Sequence, residues 1–264
     1  MIPPTALNVG AITPLPEDWE RALCVAAHPD DLEYGVASAV ARWTAQRKQV
    51  TYLLVTRGEA GIDGMLPDQA GALREEEERL GAAEVGVETV QFLDYQDGVV
   101  EYGLPLRRDI ARAIRQHRPD VVIGGPFTVR MFGGVPNQAD HRVVGLATLD
   151  AARDAGNRWI FPDLLDEGLE PWPRVRYVCF AGAQQPTHGV DVTGYLDRGI
   201  ASLQAHAAYL KGLGAAAFDP AEFLTWNAVA SGERMGVDAA VLLDVCTLIP
   251  DQVPPWAASR SRSR

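Results

Sequence analysis

The chain has 264 residues, of which 47% are apolar and 22% charged, and it carries a formal net charge of −11. A body that acidic repels phosphate backbones, so nucleic acid is a poor partner, and no run of about 18 apolar residues exists to span a membrane. Its three cysteines, Cys24, Cys179 and Cys246, are far apart and form no C-x-x-C, which excludes a disulfide framework or thiolate metal knuckle and points to a reducing compartment.

Residues 1–20 form a proline-rich arm without the basic and apolar regions of a secretory signal, so the expected location is the cytoplasm. Arg21 to Ala27 is apolar and stops at His28-Pro29, which suits a strand buried on both faces. Gly35 to Gln46 carries Val36, Val40 and Trp43 at helical spacing, and Val50 to Thr56 is a second buried strand. Gly58 to Gly71 reads as a glycine-rich loop, with turn chemistry from Pro67 and Asp68. Leu73 to Val85 then forms a helix on which Glu75 to Glu78 read as a solvated face near its positive end.

Thr89 to Tyr95 is the third strand, closed by an Asp97-Gly98 turn, and Leu104 to His117 is a helix ending before Pro119. Asp120 to Ile123 is the fourth strand, followed by Gly124-Gly125 and an irregular stretch from Phe127 to Asn137. A helix runs from about His141 to Ala155. Arg176 to Ala181 and Gly189 to Val192 are further strands, and Leu196 to Leu210 is another helix. This alternation predicts an α/β fold: one domain spanning residues 1–264, a mostly parallel sheet and helices on both faces. Residues 258–264 read as a disordered basic tail, solvated rather than nucleic-acid-binding.

Ligands of open α/β sheets bind beyond the carboxyl ends of the strands. The sequence puts His28-Pro29-Asp30-Asp31 there, after the first strand. Adjacent carboxylates repel unless a cation or hydrogen bonds hold them. The alternative is a solvated turn in which Asp30 or Asp31 caps the next helix; the neighbouring histidine favours a functional site. Five histidines limit the search for another ligand. His117 reads as a surface residue at a helix end, and His206, within a helix, as a packed or exposed spectator. His188 precedes a strand and could face the same edge or only a turn. His141 follows the fourth strand and its glycine loop, where the next helix begins. Two imidazoles and a carboxylate are the open three-ligand set of a catalytic zinc, so His28, Asp31 and His141 are the predicted ligands.

Five motifs occur in order: A-H-P-D-D at 27–31, T-R-G-E-A-G at 56–61, R-x-x-E at Arg74 and Glu77, F-L-D-Y-x-D-G at 92–98 and A-D-H at 139–141. Together they resemble the LmbE-like, or PIG-L, zinc-dependent N-deacetylases, from about residue 22 to the V-D-V-T at 190–193. The resemblance implies a Rossmann-like fold and hydrolysis of an N-acetyl group, usually on an amino sugar such as N-acetylglucosamine. It makes His28, Asp31 and His141 metal ligands and Asp30 the general base. Many members carry a second histidine three residues before the ligand one, where this chain has Gln138. Glutamine can donate to an oxyanion but cannot carry a proton to a leaving amine. That acid role falls to Asp30, once it holds the water's proton, or to another group such as His188.

Asp140 could orient a ligand histidine or Asp30, or simply cap the helix beginning at His141. Arg74 could bind a polar substrate group or pair with Glu77 or Glu78 on its own helix. Gly212 to Ala217 reads as a flexible loop, and Ser231 has no evident base partner. Met131-Phe132, between glycine turns, could hold an apolar part of the substrate or pack in a homo-oligomer interface.

The expected function is a zinc-dependent hydrolase of an N-acetylated sugar or glycoside. An amidase acting on a thiol–sugar conjugate or antibiotic precursor would use the same residues, and a catalytically silent sugar-binding module is the non-enzymatic alternative. Acidic pairs after a first strand also hold magnesium in phospho-receiver modules, which are about half this length and need no histidine.

Overall fold

The computed structural model describes residues 11–131, 134–214 and 219–249. The basic tail at 258–264, half of the Gly212–Ala217 loop, Phe132 and the first half of the N-terminal arm lie outside the described residues. In chain order the elements are β1 (Thr13–Pro14), β2 (Arg21–Ala26), α1 (Asp31–Gly35), α2 (Ala37–Ala45), β3 (Gln49–Leu54), α3 (Pro67–Glu84), β4 (Thr89–Phe92) and α4 (Leu104–His117). There follow β5 (Val121–Gly124), α5 (Ala139–Asp154), α6 (Asp163–Asp166), β6 (Tyr177–Ala181), β7 (His188–Asp191), α7 (Leu196–Gln204), α8 (Ala207–Gly212), α9 (Pro220–Met235) and β8 (Ala240–Thr247).

The strands form one sheet of order β1-β7-β8-β6-β5-β2-β3-β4. Every neighbouring pair is parallel except those of β8, which runs antiparallel to β6 and β7. Helices cover both faces, as the alternation in the sequence implies. Alternate residues of β2 explain its unbroken apolar run: Ala22, Cys24 and Ala26 enter the core around Trp43 and Tyr52, whereas Leu23 and Val25 enter the core around Ile110 and Ile114.

The register aligns the carboxyl ends of five strands, pairing Ala26 with Leu54, Leu54 with Phe92, Val25 with Gly124 and Gly124 with Phe180. The chain order reverses between β2 and β5, so the segments after these strands, His28–Asp31 and Gly124–Gly125, flank the switch point where such sheets bind ligands. Leu243 of β8 pairs with both Ala181, the last residue of β6, and His188, the first of β7. The β7–β8 pair therefore extends beyond this edge and walls one side of it.

Several elements differ from the sequence reading. The helix expected over Gly35–Gln46 is α2, and a short helix the sequence did not suggest, α1, precedes it across a break at Val36, whose φ of −143° is not helical. Pro67 and Asp68 are not loop residues: Pro67 opens α3, where its missing N–H costs no hydrogen bond. The helix expected over Leu196–Leu210 breaks at Ala205-His206, with His206 at φ −79° and ψ 47°. Helix α5 begins at Ala139, two residues before His141. Among the described residues, α9 and β8 complete the fold without having been anticipated. Strand β8 alternates irregularly between buried and half-buried positions and so lacks the continuous run that marked β2 and β3.

Candidate metal centre and its cavity

Leaving β2, the chain turns sharply at Pro29-Asp30, and the Asp31 carboxylate folds back onto the turn. Its Oδ2 accepts the backbone N–H groups of Ala27 (3.1 Å) and His28 (2.9 Å). Its Oδ1 lies 2.9 Å from Nε2 of His141, in the first turn of α5, and His28 Nδ1 lies 3.6 Å from Oδ2. Burial works to raise the Asp31 carboxyl, but the His141 and His28 imidazoles outweigh it and hold it well below the ordinary carboxylate range. The donor atoms of His28, Asp31 and His141 all lie within 4.8 Å of one another.

Each imidazole is turned by a partner on its far side. Asn137 Oδ1 lies 3.1 Å from His141 Nδ1, which leaves Nε2 facing Asp31. That Nε2 is buried and makes no hydrogen bond despite its closeness to Asp31, as expected of a nitrogen that serves as a ligand. His28 is gripped at Nε2 by Asp97 Oδ1 (3.0 Å) and Asp140 Oδ2 (3.3 Å), which leaves Nδ1 on the Asp31 side. Burial opposes charge on the His28 ring, yet Asp140, Asp31 and Asp97 push its pKa up to about 12. Four carboxylates, Asp30, Asp31, Asp97 and Asp140, thus converge with a single guanidinium, Arg74, among them. Two imidazoles and a carboxylate with the orphaned His141 nitrogen fit a divalent metal at His28, Asp31 and His141.

Asp140 does not cap α5: the N-cap residue is Gln138, and no side chain caps there. Instead Asp140 accepts the N–H groups of Gly98 (2.7 Å) and Val100 (3.1 Å) and faces His28, not the adjacent His141. Asp97, which the sequence marked as a turn residue and as part of the F-L-D-Y-x-D-G motif but not as a site residue, is fixed by the Ala60 N–H at 2.8 Å.

Asp30 is buried beside this centre without joining the triad. Burial raises its carboxyl to about 6, Arg74 opposing the rise and Asp31 adding to it, so it sits where a general base works near neutral pH. Arg74 Nη2 lies 3.3 Å from Asp30 Oδ1 and donates to the Pro29 carbonyl, while Nη1 donates to the Gly58 carbonyl at 3.0 Å. The T-R-G-E-A-G motif acquires a physical reason here: a Cβ on Gly58 or Gly61 would overlap the Arg74 guanidinium. Tyr209 of α8 stacks over that guanidinium at 4.0 Å and hydrogen-bonds Asp30. Nothing in its sequence context marked it.

Arg74, Glu77 and Glu78 share one face of α3, and that face is buried, not solvated as the glutamate run suggested. Glu77 accepts the Ala208 (2.5 Å) and Tyr209 (3.3 Å) N–H groups at the start of α8. Glu78 meets Glu33 and His206 in a fully buried cluster, so His206 is not helical and, of the packed and exposed readings, the packed one holds. His188 stands apart. It begins β7, four strand positions from β2 and roughly 19 Å away at about 4.8 Å per strand, and its ring meets the Thr187 hydroxyl at 2.8 Å. That distance removes it as a proton donor at the centre. Gln138 lines the cavity near His141.

The cavity over the centre has a volume of about 880 Å³. Beyond His28, Asp30, Asp31 and His141 its walls turn apolar, with Tyr34, Met131, Leu213, Phe223 and Trp226. Ser231 of α9 also lines it. Cys24, Cys179 and Cys246 are free thiols, and among the described residues no helix is long and apolar enough to cross a membrane.

The profile of the family described as PIG-L, GlcNAc-PI de-N-acetylase, matches residues 23–152. Diacetylchitobiose deacetylase of Thermococcus kodakarensis is 30% identical over 191 residues, 72% of this chain and 70% of the relative. The probable N-acetyl-α-D-glucosaminyl L-malate deacetylase 2 of Bacillus anthracis is 27% identical over 200 residues, 71% of this chain and 80% of the relative. The N,N′-diacetylchitobiose deacetylase of Pyrococcus horikoshii, solved with its inhibitor MPG, superposes with a TM-score of 0.77 at 21% identity, covering 92% of this chain and 90% of that one. That likeness concerns the fold, which alone does not fix a reaction.

Proposed function

Because the chain belongs to the PIG-L family of de-N-acetylases, we propose that it is a metal-dependent hydrolase of an N-acetylated amino sugar or glycoside. The observation that carries this reading is the pairing of two functions on one turn. Asp31 joins His28 and His141 in a three-donor set open to a cavity, while Asp30 beside it is a buried carboxylate held out of that set.

A divalent metal held by His28, Asp31 and His141, zinc by the character of the donors, would supply Lewis acidity toward water and the amide carbonyl. Asp30 takes a proton from the attacking water as its oxygen bonds to the acetyl carbon. When the C–N bond breaks, Asp30 returns that proton to the sugar nitrogen, and acetate and a free amine leave. Gln138 has amide hydrogens to donate to the carbonyl oxygen but no proton to transfer, so both transfers fall to Asp30. Arg74 and Tyr209 hold the Asp30 carboxylate, Asp97 and Asp140 fix the His28 ring, and Asn137 fixes His141.

The cavity's size favours a substrate larger than a single sugar ring, since this volume encloses a drug-sized ligand. Its apolar wall suits an aglycone or acyl chain beyond the sugar. The test is acetate release from N-acetylglucosaminides with graded aglycones, comparing zinc-loaded wild type with Asp30→Asn. Release by wild type, reduced about 10³-fold in Asp30→Asn at unchanged zinc content, is expected. Equal turnover by the two proteins would sink the assignment of Asp30, and binding without release across the panel would favour the silent sugar-binding module.

A further inference from the structure

The helix that follows the catalytic turn begins with the pattern D-x-x-E at Asp30 and Glu33. In a capping box the first side chain accepts an N–H three residues on, and the glutamate reaches back to the N–H of the first residue. Neither half forms here. Asp30 makes no side-chain cap, and its φ of 93° and ψ of −24° lie in the left-handed region rather than the extended region usual for an N-cap. Glu33 turns away, accepting the Ser202 hydroxyl at 3.2 Å and lying 3.7 Å from His206 Nε2.

The role that Glu33 gives up is filled from another helix. Glu78 Oε2 accepts the Asp30 N–H at 3.2 Å, and Arg74, one turn earlier on α3, donates to the Pro29 carbonyl. These two groups are the polar ends of a single peptide unit, so side chains four residues apart on one rigid helix hold the Pro29–Asp30 peptide from both sides. A non-glycine residue stays left-handed only where its surroundings over-determine it. The result is an Asp30 carboxylate released from its own helix and presented to the cavity.

We propose that Glu78 is a positioning residue for Asp30, seated by His206 and Glu33, and that it acts by taking the place of the capping-box glutamate. The inference rests on the hydrolase reading above for its kinetic consequences, but not for its structural ones. Glu78, Glu33 and His206 have fully buried side chains, with His206 Nε2 3.7 Å from an oxygen of each glutamate. Gly81 allows this approach: a Cβ there would lie 2.9 Å from the Ser202 carbonyl oxygen and 3.1 Å from His206 Nε2.

Glu78→Gln and Glu78→Asp separate hydrogen bonding from charge. Glutamine keeps the reach and a carbonyl oxygen for the Asp30 N–H, whereas aspartate keeps the charge but withdraws the acceptor by one methylene. Per metal-loaded chain, kcat for acetate release should fall at least 30-fold in Glu78→Asp and Glu78→Met, with KM and metal content within twofold of wild type. Glu78→Gln should recover most of the loss. Crystal structures of Glu78→Asp and, where it folds, Glu78→Met should show Asp30 back at negative φ, with its carboxylate turned toward the Leu32 and Glu33 amides.

A purely charge-balancing role predicts the reverse order, with aspartate better than glutamine, and that order would overturn the proposal. So would an Asp30 that keeps φ near its present value without the Glu78 acceptor. The same three side chains also have the spacing of a cation site. A second metal equivalent per wild-type chain, lost in His206→Asn, would make Glu78 a ligand and overturn the proposal as well. If wild type releases no acetate, the hydrolase reading fails, and the crystal structures still decide what holds the turn.

Discussion

Two clusters of histidine and carboxylate adjoin the Asp30 turn, built from nearly the same parts. His28, Asp31 and His141 line the cavity; the side chains of Glu33, Glu78 and His206 are fully buried, and of these three only Glu33 also borders the cavity. In the first cluster each ring has one nitrogen fixed by a neighbour, so the other is aimed. In the second, neither nitrogen of His206 makes a hydrogen bond, and Ser202 Oγ and the Asp30 N–H occupy one oxygen each of Glu33 and Glu78. Residue type and spacing therefore do not separate a reactive centre from its support. Access to the cavity and the orientation of each ring do.

The largest effect should follow removal of a donor from the open cluster. His141→Ala is expected to abolish stoichiometric metal binding and to cut turnover about 10³-fold or more, measured by metal analysis of the purified protein and by acetate release. Asp140→Asn tests aim rather than donation. Its loss should weaken metal affinity about 10- to 100-fold in a chelator competition, the range for carboxylates that orient a ligand histidine. An unchanged affinity would break the comparison, because ring orientation would then not distinguish the clusters.

The sealed cluster should respond in stability instead. Removing one partner from a buried ionic group costs about 3–5 kcal/mol, which for a chain of this size corresponds to a fall in Tm of roughly 10 °C. Glu33→Gln should show that fall by calorimetry while retaining full metal affinity. Metal loss without destabilisation would invert the roles assigned to the two clusters.

Much of the open cluster was legible because its residues lie in short local motifs at strand ends. His28 and Asp31 share a turn, and His141 lies in the first turn of the helix after the next strand across the switch point. The sheet was equally readable where strands are buried on both faces, as in β2 and β3. The sealed cluster was not, because its parts are distant in sequence and each has an innocent local reading. A run of glutamates on a helix resembles a solvated face until α8, about 130 residues on, covers it through the Ala208 and Tyr209 amides. His206 lies in an apolar periodicity that continues across a break in the backbone. Asp97 is hidden by its glycine neighbour, since Asp-Gly is common in turns that do nothing else. Asp140 shows the limit of adjacency: it stands next to one ligand histidine and orients the other.

The smallest effect concerns the apolar wall of the cavity. Met131 is half-buried on the loop after β5 and, like Trp226 of α9, lines the cavity. Truncating a side chain that touches only an apolar part of the substrate removes about 1–3 kcal/mol of binding at most. Met131→Ala should therefore raise KM roughly 5- to 10-fold for a glycoside with a bulky aglycone, leaving kcat unchanged. The corresponding N-acetyl sugar with a methyl aglycone should be turned over as by wild type. If both substrates are affected equally, Met131 supports the metal centre rather than the cavity wall, and the substrate has no apolar part seated there.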